Sequence, residues 1–597
     1  MNLNLDFYKE NEEDISQEEK TFIDTKLKNI DFEKDCISII KNEPTLENIL
    51  TLSEIRENIL SWYPFKENTS ILEIGANLGE ITGLFCQKAK KVVAIEESKT
   101  KAEIIAKRHQ NKQNLEIMVG DLNNIKIEEK FDYIILIGYL ENKKVDFKQT
   151  LNIAKSLLDE NGTILLALDN KLGMKYFSKT DSTGITISNP VNKQFINLNK
   201  IYEYLKELDL SNIKTYYPMP DYKLTNVIFT DQRPLSKNDL SRNVTYNNND
   251  TILFFDENTA YRELLDIKEN ISKNFVNSYL LEITNKEINN KIKFISFSNM
   301  RKHEYKIKTI MDDEYVYKYP SNNESKKHIE ETKENIEIIK ESNLKTLDDY
   351  NENGIISKFS KEKTLDEIII ELFKNNQKDE AIDLMKRFKN EIKEKLKPRD
   401  IEKNVFDKYE IKYNKEDLLS MYFVKDGLWD LIFQNCFFIN QEFYFYDQEW
   451  KEENLPIDFI MYRAVKYFGR LKKYISDEDL YKILEIDKGK IKLFDELDDK
   501  IQEKIRSEYM WKLTKQGKNA TELKTDILTL NHQINLLNIE KAKNEQQISE
   551  KEQIITQKDQ EIQRLKNQLN AVYNSTSWKI TKPLRNIKKI TKLDKLD

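Results

Sequence analysis

A glycine-bearing stretch at residues 71–83, read as ILEIGANLGEITG, constrains the fold of this chain more than any other feature. An apolar, strand-like run ends at Gly75, a second glycine follows at Gly79, and residues with helical preference come next. Glycines let a backbone turn tightly and approach a ligand closely, and the N-terminus of the following helix favours an anion or a carboxylate. The stretch predicts the first strand–loop–helix unit of a nucleotide-binding α/β sheet.

Further strand-like runs follow, separated by helix-like segments. They cover residues 91–95, 115–119, 131–137 and 163–168. Such an alternation predicts a doubly wound, Rossmann-like parallel sheet that is covered by helices on both faces. Ligands of these sheets lie at the carboxyl ends of the strands. The residues that fall at such ends are Gly75, Glu96, Asp121, Gly138 and Asn170.

The glycine loop and the strand that precedes it carry a family resemblance. Glu73, Gly75 and Gly79 resemble the first motif of class I S-adenosylmethionine-dependent methyltransferases, where the amino-acid part of the cofactor lies. A nicotinamide-binding Rossmann domain is the alternative. Its G-x-G-x-x-G spacing is absent, because Asn77 and Glu80 stand where the second and third glycines would be.

The same resemblance implies roles for the later strand ends. Glu96, about 20 residues after the loop, matches the acid that binds the ribose hydroxyls. Asp121 matches the acid that meets the adenine amine, and residues 138–141, which begin with Gly138, match the loop beside the transferred methyl group. Glu73, Gly75, Gly79, Glu96, Asp121 and Gly138 are therefore the predicted binding residues for S-adenosylmethionine. Two later segments, residues 171–177 and 216–222, together combine aromatic residues and prolines with one acid, Asp221, and predict either a loop that lines a substrate pocket or a packed loop.

Length and composition bound the remaining possibilities. At 597 residues the chain is too long for one core, which predicts three or four structural units. The net charge of −7 does not favour a nucleic-acid partner. The three cysteines and four histidines are scattered, so no zinc site or disulfide framework is expected. We expect a cytoplasmic location, because the first residues lack the apolar core of a signal peptide and no apolar run reaches about 18 residues.

A second constellation begins near residue 293. Strand-like runs at 293–298, 304–310 and 314–318 precede a long polar helix, and the run DLIFQN follows about a hundred residues later. This order resembles the protein-kinase-like and aminoglycoside-kinase fold, an α+β domain. The resemblance implies that Lys318 pairs with nucleotide phosphates and that Asp430 acts as the catalytic base. It also implies that Asn435 and Asp447 hold Mg²⁺ for ATP.

Several residues depart from the kinase pattern. No glycine-rich loop precedes Lys318, and Trp429 stands where a basic residue usually precedes the catalytic aspartate. The helix glutamate of the pattern has three candidates, Glu330, Glu331 and Glu334. A degenerate kinase-like domain that only binds or packs is therefore the alternative to an active kinase.

From Leu523 onward, core positions of a heptad seam alternate at spacings of four and three residues. They are Leu523, Ile527, Leu530, Ile534, Leu537, Lys541, Asn544, Ile548, Lys551, Ile555, Lys558, Ile562, Leu565, Leu569 and Val572. This pattern predicts a left-handed coiled coil and a homo-oligomer. An isolated exposed helix is the alternative.

The C-terminal tail interleaves basic and apolar residues. Its six basic side chains are Lys579, Lys582, Arg585, Lys588, Lys589 and Lys592. With Trp578 and the apolar residues at 584, 587, 590 and 593, they predict a helix that docks on an anionic membrane surface or on a partner protein. A solvated tail is the alternative.

The predicted units are a helical cap at 1–50, a methyltransferase domain at 51–235 and a connecting segment at 236–290, followed by a kinase-like domain at 291–515, a coiled coil at 519–574 and a basic tail at 575–597. In this order the chain resembles the bacterial O-antigen chain-terminating methyltransferase–kinases. The resemblance implies that the protein modifies the growing end of a surface polysaccharide at the inner face of the cell membrane. Its acceptor would be a glycan or a glycan phosphate, and its partners would be membrane-associated glycosyltransferases. The alternative is a methyltransferase with an inactive kinase-like domain that acts as a coiled-coil scaffold.

Overall fold

The computed structural model describes residues 1–9, 15–142, 144–180, 194–267, 270–396 and 404–586. The chain divides into two compact units, Met1–Lys518 and Asn519–Asp597. The predicted tail lies partly outside the described residues, because Lys588, Lys589 and Lys592 fall beyond residue 586.

The strands of the first unit follow one another in chain order. They are β1 Asn2–Asn4, β2 Ser70–Ile74, β3 Lys91–Glu96, β4 Leu115–Val119, β5 Phe131–Ile137, β6 Leu158–Asp169, β7 Lys179–Thr180, β8 Asn212–Met219, β9 Val227–Thr230, β10 Ile252–Leu253, β11 Ser278–Thr284, β12 Phe294–Phe297, β13 Ile307–Met311, β14 Tyr315–Pro320, β15 Lys345–Thr346, β16 Asp348–Tyr350, β17 Ile355–Lys358, β18 Phe423–Leu428, β19 Cys436–Ile439, β20 Glu442–Phe445 and β21 Lys451–Pro456.

The α-helices of this unit are α1 Gln17–Phe22, α2 Cys36–Asn42, α3 Leu46–Leu52, α4 Thr82–Lys88, α5 Lys99–Arg108, α6 Phe147–Leu157, α7 Lys175–Ser178, α8 Leu198–Glu207, α9 Glu257–Ile267, α10 Lys326–Glu341, α11 Leu365–Lys374, α12 Lys378–Lys395, α13 Val405–Lys408, α14 Lys415–Leu419, α15 Ile457–Lys466, α16 Asp477–Ile483, α17 Ile491–Ile505 and α18 Glu508–Thr514. Side-chain caps set several of their starts. For example, the Ser98 hydroxyl accepts from the backbone N–H of Lys101 at the start of α5.

Fourteen strands form one sheet in the order β1-β4-β3-β2-β5-β6-β11-β8-β9-β12-β13-β14-β17-β16. From β1 to β6 in this order, all neighbouring pairs are parallel. Successive residues of β3 alternate between two cores, since Val92 and Ala94 belong to one cluster and Val93 and Ile95 to the other. The sheet is therefore buried on both faces, and the predicted Rossmann-like doubly wound fold is confirmed.

The first half of the sheet continues past the predicted domain boundary at residue 235. Strand β11, from the predicted connecting segment 236–290, lies antiparallel between β6 and β8. The sequence did not indicate this, because β11 enters the sheet through pairing with residues more than 60 positions away.

The second half of the sheet is antiparallel and joins the first half edge to edge. Strand β9 pairs with β12, where Ile228 lies opposite Ile295. From β12 the order continues β13-β14-β17-β16, with every pair antiparallel. The predicted boundary near residue 291 therefore falls between two strands of one continuous sheet.

A largely helical region follows this antiparallel part. Its core runs from Ile339 to Ile505 and includes residues of α11, α12, α15 and α17. Two strand pairs, β18 with β21 and β19 with β20, bring the segments around Asp430 and Asp447 to the same region.

The second unit begins with a single helix, α19, at Ala520–Asn574, and a short helix, α20, follows at Thr576–Ile580. Seam residues are exposed, for example Ile548 at 56% and Leu537 at 63%. The predicted helix is present, and its association with other copies stays a prediction. Among the described residues, no helix combines the length and the apolar composition that crossing a membrane requires.

Candidate functional site

The predicted glycine loop turns sharply at the carboxyl end of β2. Gly75 and Gly79 have φ values of +77° and +75°. A Cβ atom on Gly75 would lie 2.4 Å from Cδ2 of Tyr139, so no larger residue fits without displacing that ring. Asn77 also has a positive φ, and its backbone N–H donates to Glu96 Oε2 at 2.8 Å. Asn77, the departure from the family pattern, therefore ties the loop to the end of β3.

Glu96 is buried at the end of β3. Its second carboxylate oxygen accepts from the Ser98 N–H at 3.1 Å. Burial raises the pKa of Glu96 to about 7, and the charge of Lys101 opposes this shift. Glu96 lies at the position that the family resemblance assigns to the ribose-binding acid. Its hydrogen bond to Asn77 also helps to fix the shape of the glycine loop.

Asp121 lines a cavity of about 200 Å³ next to the ends of β3, β4 and β5. Glu97 and Tyr139 line the same cavity, and the Tyr139 hydroxyl donates to Glu97 Oε1 at 3.1 Å. Tyr8 and Lys9 contribute from the N-terminal segment, which reaches this edge because β1 pairs with β4. Tyr139 belongs to the predicted loop 138–141, whereas Tyr8, Lys9 and Glu97 were not predicted as site residues.

Gly138 ends β5 with a φ of +75°. Its N–H donates to the Ala167 carbonyl at 2.9 Å, so the loop is fixed to β6. Tyr222, which follows β8, packs directly against Gly138. The two aromatic residues Tyr139 and Tyr222 thus lie against the two glycines at the ends of β2 and β5.

Glu73 occupies a different position from the other predicted binding residues. It is buried within β2, and its carboxylate accepts from the Thr82 hydroxyl at 2.6 Å. Burial raises the pKa of Glu73 to about 8. It does not line any cavity described here, so its contact supports the start of α4 behind the loop.

These residues fit S-adenosylmethionine. Gly75 and Gly138 provide a backbone cradle that a Cβ atom would fill, and Asp121 and Glu97 supply acceptors in the adjoining cavity. Gly75, Glu96, Asp121 and Gly138 lie at the carboxyl ends of four parallel strands, on one edge of the sheet. The structure therefore brings four of the six predicted residues to one edge, with Gly79 in the loop and Glu73 behind it.

A second cavity, of about 380 Å³, opens at the ends of β6 and β8; we call it the acceptor-side cavity. In its wall, the ammonium of the partly buried Lys175 lies 2.9 Å from Asp169 and 3.0 Å from Asp221. The Tyr176 hydroxyl donates to Asp169 at 2.6 Å. The backbone N–H of Asp169 donates to Glu141 at 2.7 Å, which connects this wall to the loop after Gly138.

Charge compensation sets the ionisation of this wall. Burial alone would raise the pKa of Asp221, but the charges of Lys175 and Lys223 hold that pKa at about 2. Burial acts to lower the pKa of Lys175, and the carboxylates of Asp169 and Asp221 raise it well above its ordinary value. Asp221 and Lys175 therefore remain ionised at neutral pH. Asp221 was one residue of the loop for which the sequence left a pocket or a packed loop open, and it lines the cavity.

The second constellation also converges. The Lys318 ammonium forms ion pairs with Asp447 and, at 2.6 Å, with Glu449. Arg301 binds the other oxygen of Glu449 at 2.6 Å. Burial acts to raise the pKa of Glu449, and the Arg301 and Lys318 charges hold it well below its ordinary value. Glu449 and Arg301 were not predicted as site residues.

Asp430 and Asn435 lie in the turn between β18 and β19. Asn435 Nδ2 donates to the Asp430 carbonyl at 3.2 Å, and the Asn435 carbonyl accepts from the Tyr446 N–H at 3.1 Å. Arg463 Nη2 lies 3.2 Å from Asp430 Oδ1. Burial raises the pKa of Asp430 to about 6, and the Arg463 charge opposes the shift. The Asp430 carboxylate is thus paired with the Arg463 guanidinium.

The three candidates for the helix glutamate of the kinase pattern, Glu330, Glu331 and Glu334, are exposed on α10. Glu330 pairs with Lys333, and Glu331 lies 3.5 Å from Lys327. The α10 residue nearest the buried carboxylates is His328, whose Nε2 lies 3.7 Å from Glu449.

Lys318, Asp447 and Glu449 line a cleft of about 570 Å³, which we call the second cleft. Residues of the antiparallel strands form one wall, and residues 226–244 from the first half of the sheet form another. Such a volume is in the range of small-molecule sites.

Comparison with known proteins supports a methyltransferase domain in the first half of the sheet. Residues 65–205, which span β2 to α8, match the family model of a methyltransferase domain. A ribosomal RNA small subunit methyltransferase A of Thermococcus sibiricus is 32% identical over 102 residues, 17% of this chain and 37% of that protein. A ubiquinone biosynthesis O-methyltransferase of Pelagibacter ubique is 29% identical over 138 residues, 22% of this chain and 56% of that protein.

The chain thus spans between about a third and just over half of the length of these two relatives. A solved structure of Haemonchus contortus phosphoethanolamine N-methyltransferase 1, with phosphoethanolamine and S-adenosylhomocysteine, is 13% identical with a TM-score of 0.26. The match covers 43% of this chain and 49% of the chain in that structure. The family match falls on the strands that carry the glycine cradle and the strand-end acids. Residues 65–205 therefore form a methyltransferase domain of the S-adenosylmethionine-dependent class.

Proposed function

We propose that this protein transfers a methyl group from S-adenosylmethionine to a glycan at the growing end of a bacterial surface polysaccharide. The observation that carries the proposal is the convergence of Gly75, Glu96, Asp121 and Gly138 on one edge of the sheet, next to the acceptor-side cavity. When bound, S-adenosylmethionine would supply a methyl group on a sulfonium, which needs only a nucleophile in line with it.

The described side chains have distinct roles in this proposal. The loop around Gly75 and Gly138 would hold the methionine part, and the cavity at Asp121 would hold the adenosine. On the acceptor side, Asp169 and Asp221 would present carboxylate oxygens to acceptor hydroxyls, and both carboxylates pair with Lys175. An acceptor hydroxyl gives up a proton as it is methylated, and a carboxylate of this wall would receive it.

The charged and amide groups in the wall of the acceptor-side cavity favour a hydroxyl-rich acceptor. Beside apolar residues such as Leu46, Leu50 and Leu224, the cavity is lined by carboxylates, lysines and amides, including Lys179, Asn247 and Glu257. Such groups hydrogen-bond sugar hydroxyls or phosphates, and the apolar residues can pack against the faces of a sugar ring. The net charge of −7 disfavours RNA, the substrate named for several relatives.

A labelled-methyl assay tests this function. Wild-type protein should transfer the methyl group of labelled S-adenosylmethionine to purified surface glycan. Gly75→Arg should abolish transfer, because the side chain would fill the cradle. Gly469→Ala is the control, since no atom lies within 4 Å of the added Cβ. Transfer by a folded Gly75→Arg protein at the wild-type rate would refute the site.

For the second half we propose a kinase-like domain that binds ATP and Mg²⁺ in the second cleft. The strand order β12-β13-β14-β17-β16, with Lys318 on the central strand and Asp447 facing it, supports this proposal. Asn435 and Asp447 would hold the metal, and Lys318 the phosphates. One observation favours the alternative of an inactive domain that serves in a scaffold. Lys318 is already neutralised by both Asp447 and Glu449.

The rod and the tail complete the proposal. The exposed seam of α19 would join several copies of the chain and set them at a distance from membrane-bound glycosyltransferases. In the tail, the guanidinium of Arg585 stacks on the Trp578 ring at 3.6 Å, which brings a cation and an aromatic ring together. Such pairs suit an anionic membrane surface. Salt-sensitive co-sedimentation with anionic liposomes should be lost in a chain that ends at Asn574.

A further inference from the structure

One short segment separates the second cleft from the acceptor-side cavity. Ser241, Arg242 and Val244 line the second cleft. The residues that follow directly, 245–248, line the acceptor-side cavity. We call residues 241–248 the shared wall. Any displacement of this wall by a ligand on one side changes the shape of the cavity on the other side.

Arg242 is the residue of the shared wall that is suited to sense an anionic ligand. Most other cations of the second cleft have carboxylate partners, as Lys318 and Arg301 do with Glu449 and Arg233 does with Asp239. Within the described part of the chain, Arg242 forms no ion pair, and it is exposed. An unpaired guanidinium on the wall of a cleft binds phosphate oxygens well, because its planar fork can donate two parallel hydrogen bonds.

The buried Asn226 connects the shared wall to β12 and to the end of β8. The Asn226 side chain donates to the Val244 carbonyl at 3.0 Å, and the Tyr246 hydroxyl donates to Asn226 Oδ1 at 3.2 Å. The Asn226 carbonyl accepts from the Phe297 N–H at 2.8 Å, at the end of β12. Its own N–H donates to the Met219 carbonyl at 2.8 Å, just before the loop that carries Asp221.

The same asparagine also receives a hydrogen bond from Asn299, in the loop that follows β12 over the second cleft. Asn299 in turn accepts from Asn58 at 3.0 Å. Asn226 is 2% exposed, so a broken hydrogen bond here would leave a buried polar group unpaired. A displacement of the shared wall would therefore break these hydrogen bonds unless the loop after β12 and the loop of Asp221 shifted with it.

We propose that Arg242 contacts the phosphates of a nucleotide in the second cleft, and that the shared wall couples occupancy of this cleft to the acceptor-side cavity. The inference rests on the nucleotide-binding part of the proposed function. It adds a binding residue from the segment between β9 and β10 and a coupling between the two sites. Because such a coupling is reciprocal, a ligand in the acceptor-side cavity must change nucleotide affinity by the same factor.

The test uses the full chain, with the ATP analogue AMP-PNP and MgCl₂ as the probe. Calorimetry gives the Kd, and hydrogen exchange of the amides at 245–251 reports the far side of the shared wall. We expect saturating AMP-PNP to slow exchange at 245–251 in the wild type, and Arg242→Gln to weaken binding by about tenfold. Lys237→Gln is the matched control, because this exposed lysine pairs with Asp266 and does not line the cleft.

Two results would overturn the inference and leave the cleft itself intact. One is equal AMP-PNP affinity in the wild type and Arg242→Gln, and the other is unchanged exchange at 245–251 at saturation. If the wild type binds S-adenosylmethionine and does not bind AMP-PNP, the nucleotide-binding part of the proposed function fails, and the coupling fails with it.

Discussion

The hydroxyl oxygen of Tyr222 lies 2.4 Å from the position that a Cβ atom would take on Gly138. Gly138 follows β5 and Tyr222 follows β8, so two strands distant in the sequence fix one corner of the proposed cofactor site. The next nearest atom to that Cβ is Cζ of the same ring, at 3.1 Å. The hydroxyl therefore causes most of the steric conflict.

This contact predicts a pair of compensating substitutions. Gly138→Ala should weaken S-adenosylmethionine binding by about tenfold, because the methyl group displaces Tyr222 and strains a backbone with positive φ. Tyr222→Phe alone should bind nearly as well as the wild type, and the double variant should recover part of the loss. Calorimetry measures the three Kd values. Wild-type affinity in Gly138→Ala would show that the corner is not part of the cofactor site.

A second prediction concerns the pH dependence of stability. The folded protein raises the pKa of Glu73 to about 8, above the ordinary value of 4.5, because the carboxyl is buried. Between these two pKa values the folded state keeps a proton that the unfolded state has released. The free energy of unfolding therefore declines as pH rises from about 4.5 to 8. Glu73→Gln stays neutral and keeps an acceptor for the Thr82 hydroxyl. Its melting temperature relative to the wild type should thus increase between pH 6 and pH 9.

The control for this measurement is Glu128→Gln, an exposed site outside the sheet. Its melting temperature should follow that of the wild type across the same range. A constant difference between Glu73→Gln and the wild type from pH 6 to pH 9 would contradict the raised pKa.

A third prediction separates a kinase from a scaffold. Asp430→Asn should leave ATP binding largely intact and reduce ATP turnover by about 100-fold or more, because it removes the carboxylate that accepts the proton. Asp426→Asn is the matched control, since Asp426 lies on β18 and makes only a long ion pair, 3.5 Å, with Lys451. If the wild type binds ATP without turning it over in the presence of glycan, the scaffold alternative is supported.

The sequence predicted those parts of the site that depend on strand ends. Gly75, Glu96, Asp121 and Gly138 were found because a buried strand followed by a polar or glycine residue is a local pattern. Tyr139 also follows a strand end, but its contact with the Gly75 loop depends on the packing of two different loops.

The contacts that the sequence did not predict have a common physical origin. Lys175 and Asp221, in two segments for which the sequence left a substrate pocket or a packed loop open, meet across 46 positions of the chain, and Asn226 meets Asn299 across 73. The continuous sheet depends on the pairing of β9 with β12, in which Ile228 lies opposite Ile295. No periodicity in the sequence encodes such contacts, whereas each of them is evident once the strands are placed.

The last prediction concerns the rod, whose seam is mostly apolar and is exposed in the single chain. Ile534 lies on the seam between Leu530 and Leu537, and Ile539 lies outside it, with exposed fractions of 52% and 67% for the two isoleucines. Ile534→Asp should shift the protein toward monomers, because a buried aspartate among apolar seam residues would be charged and unpaired. Ile539→Asp makes the same chemical change on the same helix and should leave association unchanged. Light scattering on size-exclusion fractions measures the mass of each variant. If all three proteins have the mass of one chain, α19 is an isolated helix; if both variants stay associated, the copies meet through another surface.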